Sequence, residues 1–91
     1  MVGANALYTD VWTSMGFESE NEERIEAFSG YQVNKALYLK AAPEAIVMHC
    51  MPMVKEQEIT SEMADHERSF IYQQAENRLH VQKALLWELL R

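Results

Sequence analysis

The sequence predicts an α/β fold: a three-layer sandwich fragment in which a short parallel sheet of about three strands is flanked by helices. Three observations carry this. Short apolar runs rich in strand formers alternate with helix-forming segments. The stretches between those runs are long enough for the crossovers that parallel strands require. The chain also closes on a long segment, Gln74 to Leu90, whose apolar residues recur at roughly the 3.6-residue helical period. At 91 residues there is room for one small domain and not for two.

Each element has its own local reason. Ala4 to Thr9 (ANALYT) is a mainly apolar run without helical spacing and reads as a buried strand. Asp10 to Glu20 has no period and reads as a loop. Glu22 to Phe28 places Ile25 and Phe28 three apart among strong helix formers, and Ser29-Gly30 ends that helix. Asn34 to Ala41 reads as a second short helix with Asn34 as N-cap, closed before Pro43. Ala45 to His49 (AIVMH) is β-branched, uncharged until its end and bounded by Pro43 and Pro52, which makes it the best strand in the chain. Thr60-Ser61-Glu62 caps a short helical turn through Ala64. Ser69 to Tyr72 (SFIY) reads as a third strand. In the last helix Ala75, Leu79, Ala84, Leu85, Leu86, Leu89 and Leu90 form the apolar face.

Composition excludes several classes of function. The hydrophobic fraction of 48% and charged fraction of 24% are ordinary globular values. No apolar run reaches the roughly 18–20 residues of a membrane span, and no secretory leader pattern opens the chain. Fourteen acidic against eight basic residues give a net charge of −6, which repels phosphate backbones and argues against nucleic acid as a partner. The single cysteine cannot form an internal disulfide and fits a reducing cytoplasm.

Parallel sheets bind ligands in the loops beyond the carboxyl ends of their strands. Polar clusters stand at those ends here: Asp10 to Gly16, His49 to Pro52 and Gln73 to Arg78. Cys50 is read either as a nucleophile or ligand-contacting thiol, or as a small packing residue; His49 either as an acid, base or donor, or as a histidine satisfied by backbone. If protonated, His49 would lower the thiol pKa of an accessible Cys50. Asp10 suits a substrate ammonium, and equally a turn. Ser14-Met15-Gly16 offers a hydroxyl, a flexible apolar arm and a close backbone approach. Arg78 lies early in the last helix, where the helix dipole disfavours a cation. An anion bound there, or pairing with Glu76, would resolve the conflict. His66 and His80 lack metal-ligand spacing to the lone cysteine, so zinc is not expected.

Four segments in order, TDVWTSMG at Thr9 to Gly16, YQVN at Tyr31 to Asn34, HCMP at His49 to Pro52 and AENRLHVQKA at Ala75 to Ala84, resemble the ornithine carbamoyltransferases. The resemblance spans essentially the whole chain and corresponds to the carboxyl-terminal, amino-acid-binding part of such enzymes, a Rossmann-like half domain; residues 1–91 are then a partial ornithine-binding domain. It implies transfer of a carbamoyl group from carbamoyl phosphate to the δ-amine of ornithine, giving citrulline and phosphate, without metal or cofactor. By resemblance, Asp10, Ser14 and Met15 hold the amino-acid end of ornithine. Cys50, with His49, sits beside the reacting amine, the Met51 backbone meets the carbamoyl group, and Arg78 binds carbamoyl phosphate.

Three departures accompany it. Met51 replaces the usual leucine, a volume-conserving change. The segment MVKEQEIT after Pro52 replaces a basic or histidine-containing stretch, which leaves putrescine or another amine open as substrate. The Ser-x-Arg-Thr-Arg phosphate loop of such enzymes is not in these 91 residues, whose arginines are Arg24, Arg68, Arg78 and Arg91. The chain is therefore expected to be inactive alone, or else to be a stand-alone folding or binding module. Too few strands to cover the sheet edges predict a homo-oligomer, most simply a dimer formed at an exposed edge or by exchange of an element such as the last helix.

Overall fold

The structure, a computed structural model, describes residues 1–13 and 18–91. In chain order its elements are β1 (Ala6–Thr9), α1 (Glu18–Phe28), α2 (Lys35–Tyr38), β2 (Ile46–His49), α3 (Ser61–Ala64) and α4 (Ile71–Leu90). The strands pair in parallel, with Ala6 opposite Ile46, Leu7 opposite Val47, Tyr8 opposite Met48 and Thr9 opposite His49. Because side chains alternate along a strand, Leu7, Val47 and His49 share one face of the sheet, and Tyr8, Ile46 and Met48 the other. Leu7, Val33, Val47, Ile59, Met63, Ala64 and Ile71 form the core on the first face, with Leu37 and Tyr38 of α2 packed against it.

Two short helices are set by their caps. Leu37 N–H donates to Asn34 Oδ1 at 2.9 Å, and Met63 N–H to Thr60 Oγ1 at 3.2 Å. Each cap satisfies one of the donors a helix start leaves free, typically stabilising by about 1 kcal/mol. Both were legible as local chemistry. α1 begins four residues earlier than its apolar spacing suggests, inside the stretch read as loop.

The third strand is corrected. Of Ser69 to Tyr72 only Ser69 bridges Val47, through Val47 N–H to Arg68 O at 3.0 Å and Phe70 N–H to Val47 O at 2.9 Å. The helix then starts at Ile71. A four-residue apolar run fits a buried helical turn as well as a strand. Burial of Ile71 in the core, with helix-forming residues following it, decides for the helix. The first strand is also less buried than expected: Leu7 is inside, whereas Tyr8 is exposed.

α4 holds the largest departure. Its 20 residues make a rod of about 30 Å. Only Ile71 is buried; Leu79, Leu85, Leu86, Leu89 and Leu90 are all exposed, so the apolar face read from periodicity is uncovered among the described residues. No described helix is long and apolar enough to cross a membrane.

Candidate functional site

The register that sets Thr9 opposite His49 puts the two residues that follow, Asp10 and Cys50, side by side at the carboxyl edge of the sheet. Cys50 Sγ lies 4.0 Å from Thr9 O and is half-buried. Asp10 is exposed, and its Oδ1 accepts the Val11 N–H at 2.7 Å. The thiol beside it and then the Val11 N–H hold the Asp10 carboxyl below the usual carboxylate range. In return, burial first and the Asp10 carboxylate second push the Cys50 thiol up. Asp10 is thus an anion suited to an ammonium group, and Cys50 a protonated, weakly nucleophilic thiol.

This corrects the expected activation of Cys50 by His49. The imidazole is fully buried and committed elsewhere: Nε2 lies 2.7 Å from Glu58 Oε1, and Nδ1 accepts the Met51 N–H at 2.8 Å. Met51 has φ 60°, a left-handed conformation rare for a residue with a side chain, and is followed by a cis peptide to Pro52. The Met51 N–H is therefore consumed inside the loop, while its carbonyl accepts no hydrogen bond among the described residues.

α4 closes the other side. The Gln74 side-chain carbonyl accepts the His49 N–H at 3.0 Å, tying the first turns of α4 to the end of β2. Between them lies a cleft of about 610 Å³ lined by Tyr8, Met48, Cys50, Phe70, Gln73, Asn77 and Arg78 among others. Arg78 has no carboxylate within ion-pair distance among the described residues, and Glu76 pairs instead with His80 at 3.3 Å. The pairing of Arg78 with Glu76 is thereby removed as its explanation. A guanidinium facing a cleft can bind a phosphate or polarised carbonyl.

The structure thus brings Asp10, His49, Cys50 and Met51 together at the end of the strands, and Cys50 shares a cleft with Arg78. Ser14 and Met15 lie outside the described residues. Sequence reading misses Glu58, which enters only inside the segment MVKEQEIT after Pro52, and names Gln74 only within a polar cluster and as the start of the last helix. Nothing local separates Glu58 from the exposed Glu56; its burial is a tertiary fact.

Residues 1–89 match the Asp/Orn binding domain of the aspartate/ornithine carbamoyltransferases. The chain is 56% identical over 88 residues to the ornithine carbamoyltransferase of Methanothermobacter thermautotrophicus, covering 97% of this chain and 29% of that protein. Among solved structures, the ornithine carbamoyltransferase from Pyrococcus furiosus superposes with a TM-score of 0.83 at 49% identity, over 93% of this chain and 28% of that one. The enzyme from Thermus thermophilus does so with a TM-score of 0.85 at 44% identity, over 99% and 29%. The chain therefore spans less than a third of the length of the proteins it matches. With nearly the whole of it matched in sequence and in backbone course, the chain belongs to the aspartate/ornithine carbamoyltransferase family.

Proposed function

We propose that this chain, a partial ornithine-binding domain, supplies the amino-acid-binding half of a site that transfers the carbamoyl group of carbamoyl phosphate to the δ-amine of ornithine. The amine nitrogen forms a bond to the carbamoyl carbon, the bond from that carbon to the phosphate oxygen breaks, and citrulline and phosphate leave with loss of a proton from nitrogen. The single observation that carries this reading is the parallel register at Thr9 and His49, which sets Asp10 beside the Cys50-Met51 loop, with Cys50 and Arg78 lining one cleft.

Each role follows from charge and hydrogen-bond sense. The Asp10 carboxylate, together with Ser14 and Met15, holds the amino-acid end of ornithine. The protonated Cys50 thiol lies beside the reacting amine without competing as a nucleophile. The free Met51 carbonyl accepts from the carbamoyl NH2, a group an N–H could not satisfy. Arg78 neutralises charge that develops as phosphate departs. His49 acts on the reaction through the loop it holds and not by direct contact.

The chain alone is expected to make no citrulline, since one arginine in the cleft is too little to position carbamoyl phosphate. In the complete protein we place the reaction in the cytoplasm. A homo-oligomeric assembly is supported by the outer edge of β1, which has no strand partner among the described residues, and by the bare surface of α4.

The test mixes the purified chain with the carbamoyl-phosphate-binding portion of the Pyrococcus furiosus enzyme and measures citrulline. Activity is expected in the mixture only, falling at least tenfold with Asp10→Asn, and falling when putrescine replaces ornithine. A complex that forms yet makes no citrulline would sink the proposal.

A further inference from the structure

Of the 20 residues of α4 only Ile71 is buried and only Gln74 is half-buried; the others are exposed. A polar side chain is thus the second anchor of a helix whose remaining surface is largely apolar. Its partner explains why. Along β2 the backbone groups alternate in direction: Ile46 N–H donates to Asn5 O towards β1, whereas Val47 N–H donates to Arg68 O on the outer side. The next donor on that outer side is His49 N–H. No backbone carbonyl meets it, because the chain has already turned into α4 at Ile71, and Gln74 Oε1 accepts it at 3.0 Å. The Gln74 side chain therefore stands where the carbonyl of a third strand would, and satisfies a donor that the burial of His49 would otherwise orphan.

This bond has one sense. An N–H partner requires the amide oxygen, so the orientation of the Gln74 amide is set by His49. Helical residues three, four and seven apart share a face, and Gln74, Asn77, Arg78 and Val81 all line the cleft that Cys50 also lines. His49 is in turn the residue before Cys50 and Met51. One hydrogen bond thus joins the arginine's face of α4 to the thiol's loop. It is the only side-chain hydrogen bond from α4 to another element among the described residues. Arg78 lies about 10 Å of helix beyond the anchor at Ile71. A tilt of about 10° there would shift it by about 2 Å, where about 1 Å of misplacement can cost a reaction on the order of 100-fold.

We infer that Gln74 is a positioning residue: by accepting the His49 N–H it sets the angle of α4, and with it the place of the Arg78 guanidinium relative to Cys50 and Met51. The chemistry served is that of the carbamoyl-transfer reading, on which the inference rests. Gln74 acts through Arg78 and not on the substrate.

A double-mutant cycle tests this in the mixture with the carbamoyl-phosphate-binding portion of the Pyrococcus furiosus enzyme. Gln74→Met keeps the length and volume of the side chain and removes the amide acceptor. It should cut kcat/KM for carbamoyl phosphate about 10- to 100-fold with Arg78 in place, and less than about threefold in the Arg78→Ala background. KM for ornithine should hold nearly constant, since Asp10 follows β1, on the opposite side of β2 from Gln74. Equal losses in the two backgrounds, or a loss carried by KM for ornithine, would make Gln74 a structural residue only and overturn the inference. Residual dipolar couplings of the chain alone, without substrate, give an independent reading. In the unmutated chain α4 should share one alignment with β1, β2 and α3, and in Gln74→Met its couplings should shrink relative to theirs. Unchanged α4 couplings in the variant overturn the inference. So does an α4 that lacks the common alignment in the unmutated chain, which decides the matter even if Gln74→Met fails to fold. Absence of citrulline from the unmutated mixture would strike the transfer reading alone, and the couplings would still decide whether Gln74 sets the angle of α4.

Discussion

Truncating Ile71 tests how α4, and with it Arg78, is held to the body. Ile71 is the one buried residue of α4 and is 0% exposed among Val47, Ile59 and Met63, while Leu86 on the same helix is 56% exposed. Beyond Ile71 the described ties are the Phe70 N–H bond to Val47 O and the Gln74 acceptor of His49 N–H. Removing a fully buried isoleucine side chain costs about 2–5 kcal/mol in transfer and cavity terms. Neighbours drawn from β2, α3 and the segment before α3 cannot all close on the gap, which favours a loss of about 3–4 kcal/mol. A chain of this length has a total stability of roughly 5–14 kcal/mol, so Ile71→Ala should remove about a fifth of it or more and lower Tm by roughly 15–25 °C. Urea unfolding followed by circular dichroism measures this, with a shifted midpoint and an unchanged slope expected. Leu86→Ala, on the bare face, should change stability by less than about 0.5 kcal/mol. A loss under about 1 kcal/mol for Ile71→Ala would refute the reasoning. Equal losses for the two variants would refute it as well, since they would mean that α4 is buried along its whole length in solution.

Two further outcomes follow from the site. Alkylation of Cys50 should have its rate inflection above the ordinary thiol value of about 8.5, and Asp10→Asn should move it only part of the way back, because burial raises it as well as the carboxylate does. The corresponding stability is fully present below the unfolded thiol pKa and is lost as pH rises through the higher folded value; an inflection at or below the ordinary value would show that the thiol is not so placed. Arg78→Ala should leave stability within about 0.5 kcal/mol, as no described carboxylate pairs with it, yet cut kcat/KM for carbamoyl phosphate about 100-fold in the complemented enzyme. A stability loss above about 1 kcal/mol would assign Arg78 a structural partner instead.

What could be read from the chain was chemistry confined to a few neighbouring residues. Asn34 and Thr60 cap helices because a side-chain oxygen reaches an N–H three residues on, a relation contained in the sequence itself. β2 is legible because its β-branched run lies between two prolines. The site clusters at Asp10 and His49 to Met51 are legible because ligand sites of parallel sheets gather at strand ends. What escaped depends on contacts across the chain. Whether SFIY extends the sheet or turns into α4 is decided by the core pocket that takes Ile71. Whether Cys50 is an activated thiol is decided first by its own burial and then by Asp10, forty positions away.

The uncovered face of α4 shows where periodicity stops informing. Apolar spacing at Leu79, Leu86 and Leu90 states that the helix needs a partner surface, and says nothing of whether that surface lies in the same stretch of chain. Here the bare face extends further than one stripe, since Val81, Leu85, Trp87 and Leu89 are exposed as well. A helix apolar around most of its circumference is built to lie between surfaces. The described residues bury only Ile71 of it, and the chain spans only 29% of the length of a relative it matches over 88 residues. Arg78 sits between that anchored first turn and the bare remainder. On the carbamoyl-transfer proposal, whatever covers α4 would also set the angle at which the guanidinium meets the cleft, so that completing the apolar contact and completing the anion site would be one structural event.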